Sequence, residues 1–280
     1  MMTTKQNIFD KYDLQGRVAV ITGGAGMLGV KHAEAIASAG GTPVLIDLFE
    51  EQAVKVADSL NKTYGIPALA ICRDITKTES WNEIRDEVLS KFARVDILVN
   101  NAANNPKVEK SEKKNFTRFE NFPLEQWNND FAVCATGAFL ASQSLGAVMA
   151  ERGGGIILNI ASDLAVIAPD QRIYREDGIA EELQNVKPVT YSVAKHALIG
   201  LTKYLSTYWA DKNVRVNSIS PGGVYLNQPE KFVEKLINLI PMKRMANPDE
   251  YQAAVLFLCS DASSYMTGQN LVMDGGRSVW

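Results

Sequence analysis

Short apolar runs rich in β-branched residues alternate along the chain with longer stretches of helical hydrophobic spacing. Near-continuous apolar strands between helices are typical of a parallel sheet that is covered on both faces. The predicted strands are Arg17–Thr22, Pro43–Asp47, Ala68–Ile71, Val95–Val99, Gly155–Ile160, Val214–Ile219 and Asn270–Met273. The predicted helices are about 28–40, 50–64, 79–92, 124–151, 190–211 and 248–261. Right-handed crossovers then predict an α/β fold with a doubly wound sheet of about seven strands and helices on both faces.

The 280 residues are interpreted as one domain, because no linker, repeat or low-complexity tract divides them. Residues 1–13 form a polar N-terminal tail, and 104–123 and 163–190 are interpreted as inserted loops. Each loop follows the carboxyl end of a predicted strand, which is where ligands bind in open α/β sheets. Loops of this length serve a function or are disordered. A lid over the substrate, solvated surface decoration and a subunit contact all remain open for them.

Composition narrows the classes of partner. Hydrophobic residues make up 46% of the chain, and the net charge of −3 gives no general attraction to nucleic acid or to an anionic membrane. We expect no signal peptide and no membrane span, since neither pattern is present. Three scattered cysteines favour reduced thiols in the cytoplasm. Two distant histidines give no indication of a metal site.

The first strand runs into a glycine-rich turn, Thr22-Gly-Gly-Ala-Gly-Met-Leu-Gly29. Glycines allow a tight turn and close approach of a pyrophosphate, and the following helix presents free N–H groups to it. A purely structural turn is the alternative. Asp47, at the end of the second strand, favours a dinucleotide site, because a carboxylate there accepts hydrogen bonds from both ribose hydroxyls and repels a 2′-phosphate. We therefore predict NAD, with NADP disfavoured, although Asp47 is also in place to cap the helix near Glu50.

Candidate chemistry lies in Tyr191-Ser-Val-Ala-Lys195, at the start of a predicted helix. Residues four apart share a helix face, and a nearby ammonium favours the phenolate of a tyrosine. Tyr191 would then exchange the proton that accompanies hydride transfer. Ser162 follows a predicted strand and is in place to hydrogen-bond a substrate oxygen, or else to cap a turn. A YxxxK spacing alone is common, and its position after the fifth strand and Ser162 makes it informative.

Together these motifs resemble the short-chain dehydrogenase/reductase family, and the resemblance extends from about Leu14 to Gly276. The further segments that carry it are Asp74-Ile75, Asn100-Asn101-Ala102-Ala103, Pro221-Gly222, Tyr265-Met-Thr-Gly-Gln269 and Asp274-Gly-Gly276. The resemblance implies a Rossmann-type sheet and an oxidoreductase that acts on CH–OH groups with NAD(P). It also implies a homotetramer, with the closing Gly-Gly-Arg-Ser-Val-Trp segment near a subunit contact.

The resemblance also implies roles for individual residues. Ser162, Tyr191 and Lys195 would be catalytic, with Lys195 lowering the pKa of Tyr191 and holding the nicotinamide ribose. Asp74 and Ile75 would lie by the adenine, Asn101 and Ala102 by the adenosine ribose, and the backbone of Val224 by the carboxamide. The complete set expected to bind the cofactor is Gly23, Gly26, Met27, Leu28, Gly29, Asp47, Leu48, Asp74, Ile75, Asn101, Ala102, Tyr191, Lys195 and Val224.

Four departures from the family pattern stand out. The family usually has glycine at the position of Met27, and this chain has an extra glycine at Gly26. Cys134 occupies the position of an asparagine that supports a proton relay through water, and a thiol is a poor replacement. Leu226 replaces a threonine expected near the carboxamide. Ser162 and Tyr191 are separated by roughly twice the usual stretch.

Charged residues in both loops predict a small polar substrate, anionic or sugar-like, since lipids or steroids would require apolar loops. A role in processing sugars or activated sugars fits this outline. Two alternatives stay open. One is a 3-oxoacyl thioester reductase, which Asp47 disfavours. The other is a dinucleotide-binding sensor without catalysis, which the intact Ser162, Tyr191 and Lys195 disfavour.

Overall fold

The computed structural model describes residues 7–104 and 117–280. Its strands are β1 (Val18–Thr22), β2 (Thr42–Asp47), β3 (Leu69–Cys72), β4 (Ile97–Asn100), β5 (Gly155–Ile160), β6 (Val214–Pro221) and β7 (Asn270–Met273). They form one sheet in the order β3-β2-β1-β4-β5-β6-β7, and every neighbouring pair is parallel. The direction of strand addition reverses between β1 and β4. This confirms the predicted doubly wound Rossmann sheet of seven strands.

The helices are α1 (Met27–Ser38), α2 (Glu50–Tyr64), α3 (Thr78–Phe92), α4 (Leu124–Glu151), α5 (Val189–Tyr208), α6 (Glu230–Ile237) and α7 (Gln252–Leu258). Helix α6 was not predicted, because its eight residues are too few to give a clear helical period. The predicted helix at 248–261 is shorter, since α7 ends at Leu258 and a 3₁₀ turn covers Asp261–Ser263.

Apolar side chains cover both faces of the sheet, because successive strand residues point to opposite sides. On one face Ala19 and Ile21 of β1 belong to a buried cluster with Ile36 of α1 and Val255 of α7. On the other face Val18 and Val20 belong to a cluster that is completed by α3, α4 and α5. Its members from these helices are Trp81, Ile84, Val88, Leu140, Ala141, Leu145, Met149 and Leu205. The sheet is thus enclosed by helices on both sides.

The segments interpreted as tail and loops have short helical turns. Residues 163–190 contain 3₁₀ helices at Asp163–Ala165, Gln171–Tyr174 and Glu181–Leu183. Of the loop at 104–123, residues 105–116 lie outside the described residues. In the tail, Ile8–Tyr12 forms a 3₁₀ helix, while residues 1–6 lie outside the described part.

Helix α4 is long and apolar enough to cross a membrane by length and composition. Its residues Leu140, Leu145 and Met149 are instead buried against the sheet and α3. A core helix of this fold needs an apolar face of this kind, so packing accounts for the composition of α4.

Replacing Leu145 with Ala should destabilise the protein by about 2–5 kcal/mol, because it leaves a cavity in a fully buried cluster. Chemical denaturation followed by circular dichroism measures this change. Leu124→Ala on the same helix is the matched control, since Leu124 is 72% exposed. Equal effects of the two substitutions would contradict the packing described for α4.

Candidate active site

The glycine turn after β1 leads directly into α1. Gly23 has a φ of +61°, which favours glycine. A Cβ on Gly29 would lie 2.1 Å from the carbonyl oxygen of Gly23, so only glycine fits there. Helix α1 begins at Met27 without a side-chain cap, so its first N–H groups are available to an anion. The Gly26-Met27 departure therefore leaves intact the features that a pyrophosphate needs.

Asp47 closes β2 beside this turn. Its Oδ2 accepts a hydrogen bond from the backbone N of Ala25 at 3.0 Å, and its Oδ1 accepts from the backbone of Leu48 and Phe49 at 2.8 and 3.2 Å. Helix α2 has Phe49 as its N-cap residue and no side-chain cap, so Asp47 orders the approach to α2 rather than capping it. The carboxylate joins the glycine turn to the end of β2.

Asp74 and Ile75 follow β3 at the same edge of the sheet. Burial acts to raise the pKa of Asp74, but hydrogen bonds from the backbone and hydroxyl of Thr76 outweigh it and hold that pKa below its usual value. Ile75 is buried, and its carbonyl oxygen accepts from Nε1 of Trp81 at 2.9 Å. Both residues are held rigidly where an adenine is expected.

Asn101 and Ala102 fix the glycine turn from the β4 side. The side-chain amide of Asn101 donates to the carbonyl oxygens of Thr22 and Gly23 at 3.0 and 3.1 Å. The backbone N–H groups of Asn101 and Ala102 both donate to Oγ1 of Thr22. Asn101 thus positions the turn, in addition to lining the cavity beside it.

Three predicted catalytic residues meet at the carboxyl end of β5. Lys195 is buried, and its Nζ donates to the carbonyl oxygen of Ile160 at 2.6 Å, which joins α5 to the end of β5. Ser162 lies two residues further along. Tyr191 lies one helical turn before Lys195, and its ring centroid is 5.9 Å from Nζ.

Burial raises the pKa of Tyr191 to about 12, although a hydrogen bond with Ser162 opposes the rise. The carboxylate of Asp163 and the thiol of Cys134 raise it further. Burial also lowers the pKa of Lys195. A pKa of about 12 favours the protonated hydroxyl of Tyr191 at neutral pH, so positive charge beyond that of Lys187 and Lys195 is needed to favour the phenolate.

Other charged residues reach this centre and were not predicted. Oγ of Ser162 donates to Oδ1 of Asp163 at 2.9 Å, and Oδ2 of Asp163 lies 2.7 Å from Nη1 of Arg277. Nζ of Lys187 lies 3.9 Å from the ring centroid of Tyr191, and burial lowers its pKa to about 8. No local pattern indicated them, and only the charged character of the 163–190 loop pointed toward Asp163 and Lys187.

The segment after β6 is fastened by Gln228, which was also not predicted. Its side-chain amide donates to the carbonyl oxygen of Val224 at 2.8 Å and accepts from the backbone N of Leu226 at 2.7 Å. Gln228 therefore holds the segment in which Leu226 replaces the expected threonine. The backbone of Val224 also pairs with Ala246 in an isolated parallel bridge.

Cys134 lies in a π-helical turn of α4, Ala132–Thr136. Its side chain is buried with Ala138, Ala194 and Leu198, and burial raises the pKa of its thiol. The residue therefore packs α4 against α5. A neutral thiol in such surroundings does not replace the amide of an asparagine in a water relay.

One cavity of about 440 Å³ brings most of the predicted residues together. Its lining includes Gly23, Gly26, Met27, Leu28, Asn101, Ala102, Ser162, Tyr191, Lys195 and Val224. Gly29, Asp47, Leu48, Asp74 and Ile75 are not among its lining residues. Gly29 packs against Gly23 and Gly24 within the glycine turn, and the other four lie at or just beyond the carboxyl ends of β2 and β3. Among residues 7–104 and 117–280, no cluster of His, Cys, Asp and Glu could hold a metal ion.

Comparison with known proteins agrees with this geometry. Residues 17–174 match the family model described as short chain dehydrogenase, and residues 178–278 match one described as Enoyl-(Acyl carrier protein) reductase. The chain is 34% identical to a D-threitol dehydrogenase of Mycolicibacterium smegmatis, with 99% of this chain and 100% of the relative covered. It is also 34% identical to an NAD-dependent glycerol dehydrogenase of Listeria innocua, with 97% and 98% covered.

Among solved structures, a gluconate 5-dehydrogenase from Burkholderia cenocepacia J2315 in complex with NADP and tartrate superposes with a TM-score of 0.84. That protein is 27% identical, with 98% of this chain and all of that chain covered. The chain belongs to the short-chain dehydrogenase/reductase family. It is an oxidoreductase of the class that transfers a hydride between an NAD(P) nicotinamide and a CH–OH or C=O carbon.

Replacing Gly29 with Ala should abolish NADH binding, or weaken it at least tenfold, because the new methyl group must displace the carbonyl of Gly23. Titration of NADH fluorescence measures the affinity. Gly200→Ala on α5 is the matched control, since a Cβ there has no atom within 4 Å. Wild-type affinity in the Gly29 variant would show that the turn does not hold the dinucleotide.

Proposed function

We propose that this protein is an NAD-dependent dehydrogenase of a small polyhydroxylated substrate, a sugar alcohol or sugar derivative. The observation that carries the proposal is the polar lining of the cavity beside Tyr191. Asp163, Lys187, Gln228 and Arg277 all line it. Charged and amide groups of this kind recognise hydroxyl or carboxylate groups, whereas a steroid or acyl chain requires an apolar surface.

Apolar residues of the same cavity complete the fit. Ile173, Leu236 and Met245 line it and pack in one buried cluster. They offer a surface to the carbon skeleton of a substrate whose hydroxyl groups meet the polar side chains. The similarity to dehydrogenases named for threitol and glycerol supports this class of substrate.

In the proposed mechanism the hydroxyl of Ser162, which donates to Asp163 in the protein alone, turns to donate a hydrogen bond to the oxygen of the reacting alcohol. Tyr191 takes the alcohol proton in oxidation and returns it to the carbonyl oxygen in reduction. Nζ of Lys195 has three donors, of which the carbonyl of Ile160 uses one, so two remain for the nicotinamide ribose and for stabilising the phenolate. A nicotinamide held beside Tyr191 and Lys195 would accept or supply the hydride, and its oxidised form would add a positive charge.

The residues present fit a dinucleotide. The turn from Gly23 to Gly29 and the uncapped start of α1 suit a pyrophosphate, with Asn101 holding the turn in shape. We propose that Asp47 and Leu48 lie against the adenosine ribose, that Asp74 and Ile75 lie by the adenine, and that Ala102 and Val224 complete the site. The carboxylate of Asp47 favours NAD over NADP.

A 3-oxoacyl thioester reductase is the second candidate, and the 33% identity of the chain to a 3-oxoacyl-[acyl-carrier-protein] reductase of Aquifex aeolicus favours it. The polar side chains at Tyr191 count against it. A dinucleotide-binding sensor without catalysis is a further alternative. Both become outcomes of the experiment below.

We also propose a homotetramer that acts in the cytoplasm. Phe139 on α4 and Tyr204 and Tyr208 on α5 are large apolar side chains that are exposed in the single chain, and contact between subunits would cover them. Reduced thiols are compatible with the cytoplasm, and Cys72, Cys134 and Cys259 are unpaired.

We expect the wild type to oxidise glycerol, D-threitol or related polyols and sugar acids with NAD, as followed by NADH absorbance. Tyr191→Phe should lower turnover by at least about 100-fold, because it removes the proton acceptor, while NADH affinity stays within about twofold. Tyr64→Phe, at an exposed position on the last turn of α2, is the matched control.

Turnover of acyl thioesters alone would overturn the polyol proposal in favour of the second candidate. Binding of NADH without turnover of any compound in a panel of polyols, sugar acids, nucleotide sugars and acyl thioesters would favour the sensor. Full activity of Tyr191→Phe would remove Tyr191 from the mechanism.

Replacing Asp47 with Asn should reduce the preference for NAD over NADP by roughly tenfold or more, since it removes a charge-assisted hydrogen bond and the repulsion of a 2′-phosphate. The one amide oxygen of asparagine can still accept from Ala25 and keep the glycine turn in place, while its NH2 group then faces the N–H groups of Leu48 and Phe49. The ratio of kcat/KM for the two cofactors measures the change. An unchanged ratio would show that Asp47 does not select the cofactor.

A further inference from the structure

A buried ion pair lies beside the catalytic residues. Nη1 of Arg277 is 2.7 Å from Oδ2 of Asp163, and the two side chains are 8% and 5% exposed. Asp and Arg are seldom buried to this extent unless they are paired. Through Oδ1, Asp163 also accepts from Oγ of Ser162 at 2.9 Å and from the backbone N of Leu164 at 2.8 Å. Arg277, Asp163 and Ser162 thus form a continuous hydrogen-bonded chain that ends at the reacting centre.

The segment after β7 is built to bring Arg277 to this place. Gly275 and Gly276 both have positive φ, of 66° and 88°, which turns the backbone sharply. The carboxylate of Asp274 accepts from the backbone N of Gly276 and of Ser278 and stabilises the turn. Nε1 of Trp280 donates to the carbonyl oxygen of Leu239. Arg277 is therefore anchored on both sides.

Several polar or titratable groups act on Tyr191, contact its ring or line the cavity beside it. They come from α4, from the loop after β5, from the turn at 171–174, from the segment around the start of α5 and from the segment after β7. The groups are Cys134, Ser162, Asp163, Tyr174, Lys187, Lys195 and Arg277. Asp163 is the acidic group that raises the pKa of Tyr191, alongside the thiol of Cys134. At neighbouring Tyr174, Arg277 and Asp163 act in opposite directions, so the cation offsets the carboxylate in this region.

We propose that Arg277 is a positioning residue that neutralises Asp163 and so allows Tyr191 to give up its proton. By holding Oδ2 of Asp163, Arg277 also keeps Oδ1 directed at the hydroxyl of Ser162. Arg277 acts through Asp163 rather than on the substrate oxygen. This inference rests on the acid–base role proposed for Tyr191, and it assigns a function to a residue 86 positions away along the chain.

The test compares the pH dependence of kcat/KM for oxidation of D-threitol or glycerol in four proteins: wild type, Arg277→Met, Asp163→Asn and the double variant. Arg277→Met leaves the carboxylate of Asp163 without its cation, which raises the apparent pKa of Tyr191, so the midpoint of the activity curve should move up by about one pH unit. Asp163→Asn keeps the acceptors for Ser162 and Leu164 but removes the negative charge, so its midpoint should move down. The double variant should lie close to the wild type.

Arg17→Met is the matched control, because Arg17 pairs with Asp261 at the opposite edge of the sheet, before β1. If the ion pair is purely structural, the variants lower kcat but leave the midpoints of the pH curves unchanged, and that result would overturn the proposal. A shift of the midpoints of both single variants in the same direction would also overturn it. If Arg277→Met does not fold, Asp163→Asn and the double variant still test the direction of the midpoint shift. The double variant is expected to fold because replacing both partners leaves no unpaired buried charge.

A second measurement needs no substrate. The phenolate absorbance of Tyr191 is titrated in the presence of NAD, as the difference between each protein and its Tyr191→Phe counterpart. As in the kinetic experiment, the midpoint of the phenolate titration should move up in Arg277→Met and down in Asp163→Asn. Failure of the polyol substrates therefore remains distinguishable from failure of this proposal, which unmoved phenolate midpoints would overturn.

Discussion

All seven strands run in one direction, and the arrangement of the site depends on this constraint. Parallel strands have their carboxyl ends at a single edge, so the residues that follow β1, β2, β4, β5 and β6 converge although they are far apart in sequence. The reversal of strand order between β1 and β4 opens the crevice there. Within it, the hydrogen bond from Nζ of Lys195 to the carbonyl oxygen of Ile160 joins α5, which contains Tyr191, to the end of β5, which leads to Ser162.

Periodicity and turn residues were sufficient to predict the sheet. Each strand is a run of apolar residues bounded by polar or glycine-rich segments, and such signals are local. The glycine turn and the pair Tyr191 and Lys195 are also local patterns, and the structure places them on one cavity with Ser162. Helix α6 was missed because eight residues contain too few helical turns to distinguish a helix from a connecting segment.

The remaining site residues depend on tertiary contacts that no local pattern encodes. Asp163 and Arg277 form an ion pair although they are 114 positions apart, and no sequence pattern around either residue indicates the other. Lys187 reaches the ring of Tyr191 because the 163–190 loop returns to the start of α5. Cys134 shows a related limit: the substitution was visible in the sequence, but its outcome, an apolar contact between α4 and α5, depends on packing.

The hydrogen bond between Asp47 and Ala25 has a consequence for how this enzyme could be redesigned or could diverge. Exchange of Asp47 for a small or basic residue, as adaptation to a phosphorylated cofactor requires, would also remove the acceptor that joins β2 to the glycine turn. Under the role proposed for Asp47, cofactor selectivity and local stability are coupled at one carboxylate. Adaptation to the other cofactor would require a compensating acceptor for that N–H group, so a single substitution is a poor evolutionary route between the two.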